Sequence, residues 1–305
     1  KAVSRLTKEF KSREILEIIK KNKTKYINTS QNKKNYCTLK KKLPLTKTVT
    51  NPTAMPVEVS DLDSLTPFLQ FLNDNKEIQP NYYEFNKIFN CMKFEKGAIY
   101  TDGRMDLCKQ VVGPNWINKL MESLKNNTRI THFLLGNNII NTTGASAIKD
   151  YLLNGKSTIV TWYLAGNDIS SEGIKYICEG LKNDTVMKYL WLKRNPILPE
   201  GANYLSELLK QNQNIKILDL HNTGILDDGV KNLCDGLQYN KSLRHLYLDA
   251  NGLTEKSCQY LADYFSNRKT KGITSLWIDM NQISNEGAKT MLKSLENYPY
   301  LKRLN

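Results

Sequence analysis

The chain has 305 residues, of which 40% are hydrophobic and 24% charged, with a formal net charge of +14. No stretch approaches the roughly 20 apolar residues that a membrane span needs. The opening Lys-Ala-Val-Ser-Arg lacks both a signal-like apolar core and an initiating Met, so the expectation is a true N-terminus lying further upstream.

The charge is not spread evenly. Residues 1–50 hold 15 Lys and Arg against three acids (Glu9, Glu14, Glu17), a net of +12, while the remaining residues hold 29 bases and 27 acids. Residues 1–23 read as an amphipathic helix with Val3, Leu6, Phe10, Leu16 and Ile19 near one side. Residues 24–50 are rich in Lys, Asn and Thr and read as extended. Three readings of this basic arm are open: a solvated tail, an electrostatic anchor on nucleic acid or an acidic partner, and a membrane-surface helix. The anchoring cations would be Lys20, Lys21, Lys23, Lys25, Lys33, Lys34, Lys40, Lys41 and Lys42. Only Phe10, Tyr26 and Tyr36 are interleaved with them, which is poor provision for base stacking.

Asn51-Pro52 through Pro56 reads as a linker. Thr66-Pro67 then predicts a helix opening with a cap and a first-turn proline and continuing through Phe68, Leu69 and Leu72. A further short helix is expected to hold Phe85, Phe89 and Met92. Thr-Asp-Gly between the apolar runs of 97–107 is a hairpin signal. These pieces are expected to cap one end of a repeat array that fills the rest of the chain.

From residue 98 onward one pattern recurs, L-x-x-L-x-L-x-x-N-x-I. Full copies are Ile130–Phe133–Leu135–Asn138–Ile140, Ile159–Trp162–Leu164–Asn167–Ile169, Met187–Leu190–Leu192–Asn195–Ile197, Ile215–Leu218–Leu220–Thr223–Ile225, Leu243–Leu246–Leu248–Asn251–Leu253 and Ile273–Leu276–Ile278–Asn281–Ile283. A degenerate first copy runs through Met105, Leu107, Gln110 and Val112, and Leu301 and Leu304 open one more. Six residues after each Asn-equivalent comes Gly144, Gly173, Gly201, Gly229, Ser257 or Gly287, followed by apolar residues at helical spacing. Each unit is therefore a short strand, a turn and a helix, and stacking gives the units one shared core. The Asn amide serves the turn that leaves the strand; Thr223 replaces only part of that bonding, so an altered turn is expected in its repeat.

These repeats resemble the ribonuclease-inhibitor-like class of leucine-rich repeats over about two-thirds of the chain. The resemblance implies an α/β, right-handed horseshoe solenoid with a concave parallel sheet and convex helices, and a role in protein recognition. With the mostly helical N-terminal extension, the expected division is a basic arm at 1–50, a linker and helical cap at 51–97, and the solenoid at 98–305. The repeat begun at Leu301 leaves two readings, a truncated chain or a cap supplied by a partner.

Alternation along each strand predicts which side chains face the concave side. One column is Leu134, Tyr163, Trp191, Asp219, Tyr247 and Trp277; the next is Gly136, Ala165, Lys193, His221, Asp249 and Asp279. Tyr163, Trp191, Tyr247 and Trp277 are candidate partner contacts, because buried aromatics anchor interfaces. Lys193, Arg194, Asp219, His221, Asp249 and Asp279 are candidates for charge complementarity. The competing reading is that the aromatics merely pack on one another.

Signals for catalysis are weak, and the chain reads as non-enzymatic. Gly155-Lys156-Ser157-Thr158 lacks the earlier Gly of a phosphate loop, since Asp150 stands there. His132, His221 and His245 have no motif-supported nucleophile, and Asp227-Asp228 read as acids at the positive end of their own helix. Cys37, Cys91, Cys108, Cys178, Cys234 and Cys258 are scattered without metal-ligand spacing, as in reduced intracellular proteins. Neither metal nor cofactor is expected, and the Asn141 and Asn240 sequons carry little weight in an Asn-rich chain. The expected function is binding of a protein partner, with membership of a larger assembly open. The alternative is a nucleic-acid- or ribonucleoprotein-associated component held by the arm. GTPase activation, suggested by the Ran activator within the resembled class, ranks below both, because no residue carries over and this chain has a basic head where that family bears an acidic tail.

Overall fold

The computed structural model describes residues 57–79, 85–86, 89–154 and 156–305. The helix expected over 1–23, the extended segment, the basic arm with its nine candidate lysines and most of the linker lie outside the described residues. All described residues belong to one compact unit, within Lys47–Asn305.

Short apolar triplets make the strands, and 28-residue spacing brings them side by side. β1 (Phe85–Asn86), β2 (Cys91–Lys93), β3 (Ala98–Tyr100) and β4 (Arg104–Asp106) pair antiparallel in sequence order. β5 (His132–Leu134), β6 (Thr161–Tyr163), β7 (Tyr189–Trp191), β8 (Ile217–Asp219), β9 (His245–Tyr247), β10 (Ser275–Trp277) and β11 (Arg303–Leu304) then add in parallel, giving one 11-stranded sheet in chain order. The intervening helices are α2 (Gly113–Leu124), α3 (Asn141–Asn154), α4 (Ser171–Leu181), α5 (Leu198–Gln211), α6 (Leu226–Tyr239), α7 (Glu255–Asn267) and α8 (Asn285–Ser294), each packed on its neighbours. This is the α/β leucine-rich-repeat solenoid. The strand anchors of the repeat from Phe133 to Leu276 are at most 1% exposed, and so are Met105 and Leu107 of the degenerate copy.

Gly229 illustrates why a small residue opens each helix: a Cβ there would lie 2.6 Å from Ile225 and 3.1 Å from Ala202 of the previous repeat. Ser257 fills the same position and is held by Asp227, which accepts from the backbone and hydroxyl of both Thr254 and Ser257. Burial raises the Asp227 pKa, but these hydrogen bonds outweigh it and hold the carboxylate below its ordinary range. Asp227 thus caps α7 of the next repeat rather than only its own helix, a correction to the sequence expectation.

The Asn ladder closes each turn across two repeats. Asn251 Nδ2 donates to Leu220 O (2.7 Å) and Asp249 O (3.1 Å), while its Oδ1 accepts from Thr223 N (3.0 Å) and Ile225 N (3.4 Å). Asn138, Asn167, Asn195 and Asn281 do the same work with the repeat before them. Thr223 keeps one donor, from Oγ1 to Leu220 O at 2.8 Å, but offers no Oδ1 to the previous repeat. Ile197 N turns instead to Asn195 O at 2.8 Å. The altered turn therefore falls one repeat earlier than the sequence suggested, because the acceptor is shared backward. Thr223→Asn is expected to restore the missing bond in a site of nearly equal volume, stabilising the fold by about 1 kcal/mol; an unchanged urea midpoint would refute the assignment.

A second ladder, not anticipated from the sequence, closes the helix-to-strand turns. Asn127 Nδ2 donates to Leu72 O, Asn212 Nδ2 to Leu181 O and Asp184 O, and Asn240 Nδ2 to Leu209 O and Asn212 O. Arg268 takes the equivalent place with its guanidinium on Leu237 O and Asn240 O. Asn240, which opens a sequon, is 2% exposed and spends its amide here.

The cap differs from expectation in two respects. α1 (Leu62–Asn73) starts before Thr66-Pro67: Asp61 is its cap, accepting from Ser64 N at 2.8 Å, and Pro67 lies inside the helix. Where a helix was expected over Phe85–Met92, the described residues are strand at Phe85–Asn86 and from Cys91, with a turn at 89–90. Asn86 Oδ1 accepts from Phe89 N, and Asn90 at φ 51° turns the chain so that Cys91–Lys93 pairs with Ala98–Tyr100. The described part of the extension supplies one helix and two short strands. The 98–106 hairpin forms as expected, with Gly103 at φ 84° and its N–H on Tyr100 O. α1 covers the first repeat through Leu65, Phe68 and Leu72, all at most 1% exposed.

Candidate partner-binding face

Parallel register places Tyr163, Trp191, Asp219, Tyr247 and Trp277 side by side across β6 to β10. Their rings form one strip. Tyr163 and Trp191 lie 6.3 Å apart, and Trp191 and Tyr247 are 5.9 Å apart although β8 runs between their strands. Tyr247 stacks on Trp277 at 4.0 Å and 12°. The strip spans β8 because Asp219, the residue there, is small. All four aromatics remain half-buried. Their mutual packing is therefore real, yet it leaves ring surface facing outward.

The shortness of Asp219 has an electrostatic cost. It is 3% exposed, and burial pushes its carboxyl above the ordinary range, against the pull of His221 N–H and Lys193. Its Oδ1 accepts from His221 N at 2.9 Å. Asp249 is also buried, its Oδ1 accepting from Asp279 N at 2.8 Å and its Oδ2 lying 3.9 Å from His221 Nδ1. Both acids, expected to set charge complementarity with a partner, are tied into the strand exits; only Asp279 of the three is exposed, and its Oδ1 accepts from Met280 N. Lys193 Nζ sits 5.5 Å over the Tyr163 ring. Arg194, at φ 58°, is exposed in the turn beyond the strand, where Nη2 reaches Asn137 Oδ1 at 3.4 Å. The Tyr247 hydroxyl is pushed up to about 12 by burial beside Asp219.

A third outward column was missed. Thr161, Tyr189, Ile217, His245, Ser275 and Arg303 lie in register two residues before the aromatic column, a position that the same alternation marks. Arg303 extends the strip, its guanidinium 5.7 Å over Trp277. One residue earlier stands a row of cations, Lys188, Lys216 and Arg244.

Among the described residues, the cysteine thiols are held away from nucleophilic chemistry. Burial pushes the thiols of Cys91, Cys108, Cys178, Cys234 and Cys258 up, Cys108 and Cys234 to about 12, away from the thiolate a nucleophile needs. His132 Nδ1 lies 2.7 Å from Thr161 Oγ1, and burial lowers its pKa. Lys156, Ser157 and Thr158 fall between α3 and β6, the wrong place for a phosphate loop. Among the described residues no cluster of His, Cys, Asp and Glu is arranged to hold a metal, and no helix is long and apolar enough to cross a membrane.

The Leucine Rich repeat family model matches residues 155–178 and 211–234. Comparison with curated proteins finds no match. Among solved structures, the chain is similar to leiomodin-1 actin-binding site 2 at 17% identity and TM-score 0.37, over 52% of this chain and 76% of that one. It is similar to the tropomodulin C-terminal domain of Caenorhabditis elegans at 13% identity and TM-score 0.40, over 50% and 92%. The TLR13–ssRNA13 complex matches at 12% identity and TM-score 0.33, over 62% of this chain and 30% of that one. Likeness this distant carries no argument about what the chain binds.

Proposed function

We propose that this protein is a non-catalytic, intracellular binding or assembly subunit that holds a protein partner on the concave face of its solenoid. The observation that carries the reading is the strip Tyr163–Trp191–Tyr247–Trp277, continuous across five strands with its rings only half-buried. Large, stiff side chains of this kind concentrate interface energy because they bury much area and lose little rotamer freedom. A scaffold that bound nothing would gain nothing from four of them in one outward column. The 28-residue strand–turn–helix repeat supports placement in the ribonuclease-inhibitor-like subclass. The basic arm, net +12 over residues 1–50, is assigned as an electrostatic anchor.

Trp191→Ala/Trp277→Ala tests the assignment. Affinity for the captured partner is expected to fall by about 2 kcal/mol, roughly thirtyfold, with the melting temperature within a few degrees of wild type. A collapse in stability with unchanged affinity per folded molecule would return the rings to a packing role. The same charge excess favours a second reading, nucleic-acid association through the arm. That reading predicts binding that is lost on deleting residues 1–50 and that falls steeply with salt, whereas strip binding responds little.

A further inference from the structure

The cation row beside the aromatic strip is built into the backbone. Lys188, Lys216 and Arg244 each stand one residue before a strand in successive repeats. Lys216 N bonds Lys188 O at 2.7 Å and Arg244 N bonds Lys216 O at 2.9 Å, so their side chains start one strand spacing apart, about 4.8 Å. The ladder continues through Thr274 to Lys302, with Arg303 next to it. Among the described residues, none of these five cations forms an ion pair with a carboxylate. Arg244 is partly satisfied, donating to Lys241 O, Leu243 O and Gly272 O. Lys188 and Lys216 are half-buried with no such compensation. Burial, then Arg244 and Lys188, hold the Lys216 ammonium below its ordinary range. Like charges stacked at this pitch oppose one another in the free protein, and a bound anion relieves them.

The strip offers complementary donors. Tyr247 and Trp277 close one face of each on the other at 4.0 Å, and ring edges carry positive potential. The indole N–H groups of Trp191 and Trp277 have no acceptor among the described residues. The cation row stands one residue before each strand, three residues and about 10 Å along the chain from the strip. Cations on one margin and donor edges on the other both select for negative or acceptor-rich atoms.

We infer that the partner presents an extended acidic protein segment, its carboxylates on Lys188, Lys216 and Lys302 and its neighbouring side chains and carbonyls against the Trp191 and Trp277 edges. The inference rests on the concave-face reading and names the chemistry of its partner. Single-stranded nucleic acid fits less well, because base stacking needs open ring faces and the closest pair here is already closed.

The test is fluorescence anisotropy on the full chain with a short labelled peptide alternating Glu and Leu, its Lys/Leu counterpart, and oligouridylate as probes. The acidic peptide is expected to bind and the basic one not. Lys188→Glu/Lys216→Glu is expected to weaken acidic-peptide binding by about tenfold, and Lys188→Gln/Lys216→Gln by less, with melting curves unchanged in both. The basic arm is common to all variants, so these differences read the row. If Trp191→Ala/Trp277→Ala weakens partner capture but charge reversal leaves peptide binding unchanged, the concave reading survives and the acidic-segment inference falls. If charge reversal weakens the peptide while the Trp variant holds the partner as well as wild type, the acidic edge stands and the aromatic reading falls. Tighter binding of oligouridylate, weakened by the same charge reversal, overturns the inference in favour of nucleic acid.

Discussion

Asn251→Ala is expected to destabilise the solenoid by about 4 kcal/mol, the largest effect of any single ladder residue. The amide is completely buried and makes two donor bonds, to Leu220 O and Asp249 O. Its oxygen accepts from Thr223 N, Thr223 Oγ1 and Ile225 N. Alanine leaves the Thr223 and Ile225 amides buried without an acceptor, while Leu220 O keeps Thr223 Oγ1 and Asp249 O keeps Asn222 N; orphaned backbone groups cost more than the net worth of the bonds they formed. Asn251→Thr is expected to cost about half as much, because Thr223 shows that a hydroxyl keeps the donor bond to the strand carbonyl and loses the backward acceptor. Urea denaturation gives the magnitude. Hydrogen exchange locates it, since coupling in repeat arrays is between nearest neighbours and the Thr223 and Ile225 amides should exchange fastest. A loss below about 1 kcal/mol would mean that water enters and replaces the amide at little cost.

Arg268→Ala is expected to cost about 3 kcal/mol. Arg268 is 5% exposed and donates to Thr270 O, Leu237 O, Gln238 O and Asn240 O, with no carboxylate partner among the described residues. Leu237 and Gln238 lie at the carboxyl end of α6, where the unpaired carbonyls and the helix dipole favour a cation. The one ordinary offset is the cost of burying the charge, which is why the figure stays below that for Asn251. Arg268→Asn is expected to recover most of the loss, because Asn212 and Asn240 serve the equivalent carbonyls in the two repeats before it. Arg268→Lys should recover less, since a single ammonium cannot span four carbonyls as a planar fork does. Equal melting temperatures for Arg268→Ala and wild type would show the guanidinium to be dispensable.

The strand anchors, the Asn ladder and the helix-opening glycines were legible because six copies repeat the same residue types at the same positions, and each type has one job. The second ladder was not, for the opposite reason. Asn127, Asn212, Asn240 and Arg268 share a place in the repeat but not one side chain, since any donor that reaches the previous repeat's carbonyls will serve, and Asp184 at the same place only accepts within its own turn. The cap failed differently. Phe85, Phe89 and Met92 fit a helical period over too short a run to tell helix from strand, and the Asn86 and Asn90 turn geometry decided for strand.

Within the candidate face, strand alternation alone put Tyr163, Trp191, Tyr247 and Trp277 in one column, as the register has them. It could not foresee that Asp219 and Asp249 would be buried. Burial of a side chain on an outward position depends on the bulk of its neighbours on adjacent strands, which lie 28 or more residues away in the chain. The sequence alone determined the solenoid, its register and the outward identity of the aromatic column, because all three follow from periods of two and twenty-eight residues. Only the tertiary structure decided that the rings close over Asp219, that the acids bond the strand exits, and that Lys188, Lys216 and Arg244 stack with no carboxylate partner among the described residues. Each of these depends on distances between strands, and a one-dimensional pattern carries no distances.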